Sequence, residues 1–282
     1  MIFDRNENRP VTALLGAGSM GTAIVRRIAG GGRILLGDVS GSSLEAAARD
    51  LTSSGHDVTT QRVDALDRSS VEDFAARAAS LDEVRHFVDT AGASPNQSSS
   101  EHIVALDLVA TAVAIDVFSG VIARGGAGLV ISSQAGHMMR LSDEVERQLA
   151  LCPTEELADL DFVRNDAVAN PGIAYMVSKR ANHLRVRTAA ATSWGDRGAR
   201  INTISPGIIV TPLAYDEFRA AGEGYQAMID ASPARRVGTP DEIAAVGAFL
   251  LGEQASFITG TDLLVDGGVI AAINAGRYTL GG

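Results

Sequence analysis

The most constraining feature of this sequence is an alternation of short apolar runs with longer amphipathic stretches, which begins at Val11 and continues to Val265. A short apolar run bounded by glycine and polar residues is typical of a buried strand, and the longer stretches are typical of helices. Strands separated by helices predict a parallel sheet covered on both faces. The predicted strands are 11–15, 33–37, 57–63, 84–89, 128–132, 200–205 and 262–265, and the predicted helices include 20–29, 103–123, 175–194 and 241–251.

Two segments do not fit this alternation. Residues 138–170 are polar and favour helix, and residues 207–240 are rich in loop-forming residues. Both follow predicted strands, and ligands bind at the carboxyl ends of the strands in open α/β sheets. Because there is no repeat or interdomain linker, we predict one domain over residues 1–282, with a helical insertion at 138–170 and a substrate lid at 207–240.

The composition argues against several partners. The net charge is −10 and no run of Lys or Arg could neutralise successive phosphates, which argues against nucleic acid. The N-terminus lacks the basic start and apolar stretch of a signal peptide, and no apolar run is expected to reach bilayer-spanning length, so we expect a cytoplasmic protein without a membrane partner. Cys152 is the only cysteine, which excludes an internal disulfide and a cysteine metal cluster, and no metal site is predicted.

A glycine-rich turn joins the first predicted strand to its helix. Gly16-Ala17-Gly18-Ser19-Met20-Gly21 has the spacing of a dinucleotide fingerprint, in the strand–helix setting that the fingerprint requires. The first glycine permits a tight turn, the second lets backbone approach a pyrophosphate, and the third lets helix and strand pack closely. The turn predicts a Rossmann-type, doubly wound parallel sheet that binds a dinucleotide; the alternative is a plain glycine-rich connection.

Two acidic residues follow the second and third predicted strands. Asp38 lies about twenty residues beyond the glycine turn, where a carboxylate accepts hydrogen bonds from the adenosine ribose and repels a 2′-phosphate. Since neither Val39 nor Ser40 supplies a cation, Asp38 favours NAD over NADP; its alternative role is a helix N-cap. Asp64 could bind the adenine amino group or cap the next helix.

Tyr175 and Lys179 stand four residues apart in a predicted helix, which places both side chains on one face. A tyrosine hydroxyl titrates near pH 10, but a nearby ammonium and a cationic nicotinamide ring favour the phenolate. Tyr175 is therefore a candidate proton shuttle between an alcohol and a ketone, while a hydride passes to or from nicotinamide. Lys179 is the only lysine beside 23 arginines, and arginine cannot supply a compact, pKa-adjustable ammonium. The alternative is a core tyrosine followed by a solvated lysine.

The run Ile131-Ser132-Ser133-Gln134-Ala135-Gly136 lies at the end of the fifth predicted strand. A serine there points into the crevice at the strand ends and could hydrogen-bond the reacting oxygen. At this point the sequence resembles the short-chain dehydrogenase/reductase family. The catalytic serine of that family stands three residues before such a glycine, which selects Ser133 over Ser132.

The resemblance covers nearly the whole chain. Three further motifs are similar to family motifs. Ala91-Gly92 resembles the end of the family's Asn-Asn-Ala-Gly motif, and the segment that lines the nicotinamide in the family resembles Asn202-Thr203-Ile204-Ser205-Pro206-Gly207 with Thr211. The family's last strand and its turn resemble Asp262-Leu263-Leu264-Val265-Asp266-Gly267-Gly268. The resemblance implies that Ser133 steadies the substrate oxygen and that Tyr175 is the acid/base. It also implies that Lys179 binds the nicotinamide ribose and lowers the pKa of Tyr175, and that Thr211 holds the carboxamide.

The chain departs from the family pattern at three positions. Leu15 precedes a glycine turn of the older Rossmann spacing, where the family has Thr-Gly-x-x-x-Gly-x-Gly. Asp107 stands where the family has a catalytic asparagine, so this carboxylate either acts on the proton relay from Lys179 or only caps or pairs locally. Asp89-Thr90 replaces the usual asparagine pair.

The interval between Ser133 and Tyr175 is longer than in most family members. This insertion, and the C-terminal part from Trp194 onward, resemble the bacterial 3α-hydroxysteroid dehydrogenase/carbonyl reductase branch, in which added helices cover the site and change subunit packing. The resemblance implies a steroid or a similar apolar hydroxyl compound as substrate, and a homodimer or homotetramer. His137 could line the substrate cleft or have a structural role.

Two functions therefore stay open. The first is an NAD-dependent oxidoreductase that interconverts a secondary alcohol and a ketone. The second is a catalytically silent NAD-binding sensor or scaffold that docks a partner through the insertion. Ser133, Tyr175 and Lys179 favour the enzyme, whereas Asp107 and the altered glycine turn favour the sensor.

Overall fold

Seven parallel strands form the centre of the computed structural model, which describes residues 9–211 and 224–279. The strands are β1 Val11–Leu15, β2 Arg33–Asp38, β3 Asp57–Arg62, β4 Val84–Asp89, β5 Ile122–Ile131, β6 Arg200–Pro206 and β7 Asp262–Val265. Their order in the sheet is β3-β2-β1-β4-β5-β6-β7. The strand order reverses between β1 and β4, which opens a crevice at the carboxyl ends of these two strands. The predicted doubly wound, Rossmann-type α/β fold is confirmed.

Helices cover both faces of this sheet. They are α1 Ser19–Ile28, α2 Gly41–Ser53, α3 Arg68–Leu81, α4 Ser100–Ser119, α5 Asp143–Leu151, α6 Asp161–Asn165, α7 Pro171–Ala191, α8 Ser193–Asp196, α9 Pro240–Leu251 and α10 Val269–Asn274. Residues 224–231 are also helical. One face of the sheet packs around Phe74, Phe118 and Trp194, and the other around Ile24 and Ile243. Because apolar side chains are buried on both faces, the central strands read as continuous apolar runs.

The boundary between α4 and β5 differs from the prediction. The helix was expected to reach residue 123 and the strand to begin at 128, but α4 ends at Ser119 and β5 begins at Ile122. Gly120 interrupts the helix, and the next residues pair with β4, where Ile122 lies opposite Val84. A shift in register between β4 and β5, with Gly125 at a φ of 75°, extends the strand beyond its predicted start.

The helix that carries Tyr175 begins one turn earlier than predicted. Asn170 caps α7 by accepting a hydrogen bond from the Ile173 N–H at 2.9 Å, and Pro171 occupies the first turn, where a missing N–H costs nothing. Since α7 ends at Ala191, Trp194 lies in the separate turn α8, not in the same helix as predicted. The early start gives Tyr175 and Lys179 a continuous helical frame.

The insertion at residues 138–170 is helical, as predicted. It contains α5, α6 and short 3₁₀ turns, and its apolar residues Leu149, Leu157, Val163 and Ala167 are buried in one cluster with residues of α4 and α7. The segment therefore packs against the two helices that carry Asp107, Tyr175 and Lys179.

Helix α4 contradicts the expectation that no apolar run is long enough to span a bilayer. It has 20 residues and a window of mean hydropathy 1.8, so by length and composition alone it could cross a membrane. In the fold, 61% of that window is buried. Its apolar residues pack into two core clusters, which is the behaviour of a core helix.

Candidate active site

The glycine turn has the geometry of a dinucleotide-binding turn. Gly16 has a φ of 90°, and a Cβ there would lie 2.6 Å from the Ala91 backbone nitrogen. A Cβ at Gly21 would lie 2.7 Å from Thr90 Oγ1, whereas a Cβ at Gly18 would meet nothing within 4 Å. Gly16 and Gly21 therefore allow the turn to pack on β4, and Gly18 leaves its open side for a ligand.

Thr90 holds this turn against the end of β4. Its Oγ1 donates a hydrogen bond to the Gly16 carbonyl at 2.7 Å, which is a local reason for threonine at a position where the family has asparagine. Helix α1 begins at Ser19 without a side-chain cap and without an acidic residue in its first turn. Its N-terminal N–H groups and positive dipole end are thus available to an anionic group such as a pyrophosphate.

Asp38 ends β2 at the wall of the crevice. Its carboxylate accepts hydrogen bonds from the Ala17 N–H at 2.7 Å and from the Ser40 N–H at 2.8 Å. Ser40, not Asp38, is the N-cap of α2, so the alternative role of Asp38 as a helix cap is wrong. The two backbone donors fix a negative charge beside the glycine turn.

Asp64 follows β3 in an exposed position and lines the same crevice. It accepts a hydrogen bond from the Leu66 N–H at 3.0 Å, while Asp67 is the N-cap of α3. The capping role for Asp64 is therefore also wrong, and contact with an adenine amino group stays a prediction.

A cavity of about 960 Å³ extends along the crevice between these residues. It is large enough for a dinucleotide, and its wall combines the glycine turn, the two carboxylates and the end of β4. The cavity is lined by, among others, Gly16, Gly18, Ser19, Met20, Gly21, Asp38, Asp64, Ala91, Gly92 and Thr211. The N–H groups at the N-terminus of α1, the carboxylates of Asp38 and Asp64, and the open space at Gly18 fit a nicotinamide dinucleotide.

The two serines after β5 have different environments. Ser132 is buried, and its Oγ donates to the Lys179 carbonyl at 2.9 Å, so it joins the strand end to α7. Ser133 Oγ accepts a hydrogen bond from the Ala135 N–H at 3.1 Å and caps the short helical turn Gln134–His137. Both serines line a second cavity beside Tyr175, but only the hydroxyl proton of Ser133 has no structural acceptor in the part of the chain described.

Lys179 forms a buried ion pair with Asp107. Lys179 Nζ lies 2.6 Å from Asp107 Oδ1, and the two side chains are 5% and 0% exposed. Burial lowers the pKa of Lys179, but the charges of Asp107, Tyr175 and Asp89 and the hydrogen bond to Asp107 together raise this pKa overall. Lys179 Nζ also lies 5.3 Å from the centre of the Tyr175 ring. The ammonium is thus charged and held beside the tyrosine.

Asp107 reaches this position from a π-helical segment of α4, Val104–Ala110. Its Oδ2 accepts a hydrogen bond from the Ala93 N–H at 3.0 Å, which ties α4 to the loop after β4. A Cβ at Gly92 would lie 2.7 Å from Asp107 Oδ1, so the loop needs glycine there. The alternative that Asp107 only caps or pairs locally is wrong, because its ionic partner is 72 residues away in sequence.

Asp89 is a buried acid that the sequence did not assign to the site. It lies at the end of β4 and accepts a hydrogen bond from the Ala91 N–H at 3.0 Å. Burial raises the pKa of Asp89 to about 7, with Asp107 adding to the rise and Lys179 opposing it. Three ionisable groups therefore share one buried region below the crevice.

The second cavity is a cleft of about 320 Å³ beside Ser133 and Tyr175. None of the described residues that line it is charged. Much of its surface is apolar and adaptable, since methionine and aliphatic side chains dominate it. Its side-chain lining includes Met20, Pro95, Met138, Met176, Ile208, Ile209, Tyr225 and Met228.

The two cavities share part of their walls. Met20 and Thr211 line both, and Pro206 and Gly207 line the cleft at the end of β6. A Cβ at Gly207 would lie 2.6 Å from the Asp266 Cα, so the chain turns tightly where it leaves the sheet. Part of the predicted lid, residues 212–223, lies outside the described residues.

Two expectations about the cleft are corrected. His137 does not line it, because its Nε2 lies 2.7 Å from Asp262 Oδ2, on β7. Of the insertion at 138–170, only Met138 is among the described lining residues, since the inserted helices pack against α4 and α7. The sequence also missed Gln134, Met176, Tyr225 and Met228 as lining residues, and no motif marks these positions.

Comparisons with known proteins agree with this geometry. A family model described as Enoyl-(Acyl carrier protein) reductase matches residues 16–270. The short-chain dehydrogenase/reductase bsc3 of Alternaria brassicicola is 41% identical over 93% of this chain and 96% of its own length. Galactitol 2-dehydrogenase (L-tagatose-forming) of Cereibacter sphaeroides is 31% identical over 91% of this chain and 93% of its own.

The predicted branch and the fold are also represented among the similar proteins. The 3-alpha-hydroxysteroid dehydrogenase/carbonyl reductase of Comamonas testosteroni is 30% identical over 67% of this chain and 73% of its own. The structure of a short-chain dehydrogenase/reductase from Serratia marcescens covers 93% of this chain and 98% of its own, with a TM-score of 0.73 at 22% identity. The chain therefore belongs to the short-chain dehydrogenase/reductase family.

Proposed function

We propose that this protein is an NAD-dependent oxidoreductase that interconverts an apolar secondary alcohol and a ketone. One observation carries the proposal: the dinucleotide-sized cavity and the apolar cleft share Met20 and Thr211, and Ser133 and Tyr175 line the cleft beside this junction. A substrate in the cleft would meet a proton donor and a hydrogen-bonding hydroxyl next to the cofactor.

Each polar side chain of the site has a role in this proposal. A bound nicotinamide would accept or supply the hydride. Ser133 Oγ donates a hydrogen bond to the reacting oxygen, and the Tyr175 hydroxyl takes or gives the proton. The Lys179 ammonium, 5.3 Å from the Tyr175 ring, favours the phenolate, and Asp107 holds this ammonium in place.

Replacement of Tyr175 by phenylalanine tests the assignment of the acid/base. Tyr175→Phe removes the hydroxyl and keeps the ring, so we expect turnover to fall at least about 10³-fold while dinucleotide binding is retained. The measurements are NADH absorbance during turnover and a direct titration with the dinucleotide. Turnover near the parental value would refute the role of Tyr175.

The proposed preference for NAD depends on Asp38. Its fixed negative charge beside the glycine turn would repel a 2′-phosphate and accept bonds from ribose hydroxyls. We expect the parent to bind NAD more tightly than NADP, and Asp38→Ala to reduce this ratio by about tenfold or more. Asp64→Ala is a matched control, because it removes a carboxylate from the same cavity one strand away and should leave the ratio nearly unchanged. A parent that prefers NADP would contradict the proposal.

The apolar lining of the cleft supports an apolar substrate. A polyol would need several hydrogen-bonding partners, whereas the described lining is dominated by methionine and aliphatic side chains. The name of the Comamonas relative specifies a hydroxysteroid, and a steroid or a smaller cyclic alcohol is the class we propose. A panel of hydroxysteroids, cyclic secondary alcohols and polyols, with Tyr175→Phe as the blank, tests this choice. Higher kcat/KM for the polyols would contradict it.

The sensor function is favoured by one observation only. The Asp107 carboxylate neutralises the Lys179 ammonium at 2.6 Å, which weakens the charge that promotes proton transfer at Tyr175. If the parent binds NAD but turns over no member of the panel, while Asp107→Asn does, the sensor or scaffold function is preferred.

The oligomeric state of the protein and its cellular compartment are also proposals. Phe249, Phe257 and Leu263 lie on α9, before β7 and on β7, with exposed fractions of 44%, 103% and 38%. Exposed apolar groups of this size support a homodimer or homotetramer, which light scattering of the purified chain would measure. A cytoplasmic location agrees with the single, free Cys152.

A further inference from the structure

Three side chains outside the proposed active site converge on one point. His137 ends the short turn that begins after Ser133, His183 lies on α7, and Asp262 is the first residue of β7. One nitrogen of each ring and one carboxylate oxygen lie within 4.8 Å of one another. We call these three residues the histidine-aspartate cluster.

The spacing of the cluster is close to that of metal ligands. His183 Nε2 lies 3.5 Å from Asp262 Oδ1, and His137 Nε2 lies 2.7 Å from Asp262 Oδ2. Metal–ligand bonds of about 2.0–2.2 Å place the ligands of a tetrahedral site roughly 3.3–3.5 Å apart. The His183–Asp262 pair already has this separation through Oδ1, whereas His137 contacts the other oxygen, Oδ2, so the His137 ring has to shift for all three residues to share one ion.

Burial distinguishes a fixed part of the cluster from a movable part. The His183 and Asp262 side chains are 1% and 9% exposed, whereas His137 is 27% exposed. His137 therefore has room to adjust and leaves a path for an ion from solvent. The two rings already contact each other, with centres 4.9 Å apart.

Neighbouring hydroxyl groups orient the carboxylate. Thr203 Oγ1 and Ser205 Oγ donate to Asp262 Oδ1 at 2.7 Å and 2.8 Å. Ser205 Oγ also lies 2.8 Å from His183 Nε2, and His183 Nδ1 has no hydrogen-bond partner among the described residues. The polar contacts that orient the His183 ring thus lie on the side that faces Asp262. Hydrogen-bonded supports of this kind are typical of metal-ligating carboxylates.

We propose that His137, His183 and Asp262 bind a divalent transition-metal ion of the Zn²⁺ class. Two imidazole nitrogens and one carboxylate oxygen suit Zn²⁺ or Co²⁺, whereas Mg²⁺ and Ca²⁺ prefer all-oxygen sites. Three protein ligands leave a fourth position for water. This inference replaces the prediction of no metal site, which rested on the cysteine count.

The ion would have a structural role next to the catalytic groups. It would join the turn that follows Ser133 to α7, which carries Tyr175 and Lys179, and to β7 at the sheet edge. The turn already packs tightly there, since a Cβ at Gly136 would lie 2.6 Å from His183 Cε1. Occupation of the site should therefore raise the thermal stability of this part of the fold.

Cobalt titration tests the proposal without relying on activity. The full chain, free of any affinity tag and treated with chelator, is titrated with Co²⁺ and the visible absorption of the bound ion is recorded. We expect one Co²⁺ per chain, displaced by Zn²⁺, and a Zn²⁺-dependent rise in the melting temperature.

Two variants distinguish metal binding at the histidine-aspartate cluster from metal binding elsewhere on the protein. His137→Ala alters the most exposed ligand, so the fold should be retained, and we expect Co²⁺ affinity to fall by about tenfold or more and the Zn²⁺-dependent rise to disappear. His56→Ala is the matched control, since His56 lies before β3 and outside the cluster, and it should behave as the parent. Absence of stoichiometric Co²⁺ binding in the parent, or equal binding in His137→Ala, would overturn the proposal.

Discussion

Replacement of Asp107 by asparagine tests how the buried ion pair affects proton transfer. Asp107→Asn keeps the size of the side chain and an oxygen that can accept from the Ala93 N–H, but removes one negative charge. Because Lys179 Nζ lies 2.6 Å from Asp107 and 5.3 Å from the Tyr175 ring centre, the carboxylate lies at most about 8 Å from that ring. The negative charge opposes the phenolate, so its removal should promote deprotonation.

The size of this effect follows from Coulomb's law. Two unit charges about 8 Å apart interact by about 2 kcal/mol at an effective dielectric constant of about 20. Since one pH unit corresponds to about 1.4 kcal/mol, the pH of half-maximal alcohol oxidation should fall by about 1 to 1.5 units in Asp107→Asn. Ketone reduction, which needs the protonated tyrosine, should lose rate at the alkaline end of its profile by the same shift.

The assay is the pH dependence of kcat/KM in both directions, read by NADH absorbance. Asp116→Asn is the matched control, because Asp116 lies on the same helix, is exposed and is bonded to Thr154 at the far end from the site. Its profile should match that of the parent. A profile of Asp107→Asn that is unchanged, or shifted to higher pH, would refute the view that Asp107 opposes the phenolate.

Three further variants test the buried acid and the glycine turn. Burial raises the pKa of Asp89 from its ordinary value near 4 to about 7, so the folded state keeps a proton that the unfolded state loses. The free energy of unfolding should therefore fall as pH rises from 4 to 7. Asp89→Asn should raise the free energy of unfolding by up to about 4 kcal/mol at pH 8 and little at pH 4. Equal effects at both pH values, measured by urea unfolding, would contradict this. Gly16→Ala should destabilise the fold by more than about 1 kcal/mol, because Gly16 has a φ of 90° and a Cβ there would lie 2.6 Å from the Ala91 backbone nitrogen. Gly18→Ala, in contrast, should retain stability and weaken dinucleotide binding, because a Cβ there would enter the open side of the turn. Similar unfolding curves for the two glycine variants would count against the proposed geometry of the turn.

Much of the sheet could be predicted because buried parallel strands leave a local signal. The bounds of β1, β4 and β7 agree with the predicted ranges, since each is a short apolar run with clear turn residues around it. The helix bounds were less accurate because caps decide them. Asn170 and Pro171 start α7 one turn early, and Gly120 ends α4 before the apolar sequence ends. Helices α2 and α3 were not predicted individually, although the alternation required crossovers there.

The contacts of the site could be predicted only in part. The turn residues of the dinucleotide cavity are close in sequence, so their spacing carries information. In contrast, Asp107, the ionic partner of Lys179, lies on another helix. The Asp107 side chain is positioned by a π-helical segment that no residue pattern predicts. The environment of His137 depends on β7, which is more than a hundred residues away.

The surroundings of Lys179 give a physical reason for one lysine in a chain with 23 arginines. Lys179 Nζ lies 2.6 Å from Asp107 Oδ1, and a Cβ at Gly92 would lie only 3.4 Å from the same nitrogen. A guanidinium is larger and planar, so it would need space that Gly92 and Asp107 fill, and it would spread the charge over several N–H groups. Glycine is required at position 92 for the same reason, since a Cβ there would lie 2.7 Å from the Asp107 carboxylate. Gly92, Asp107 and Lys179 therefore determine one another through packing, which is why none of them could be understood from its own sequence neighbourhood.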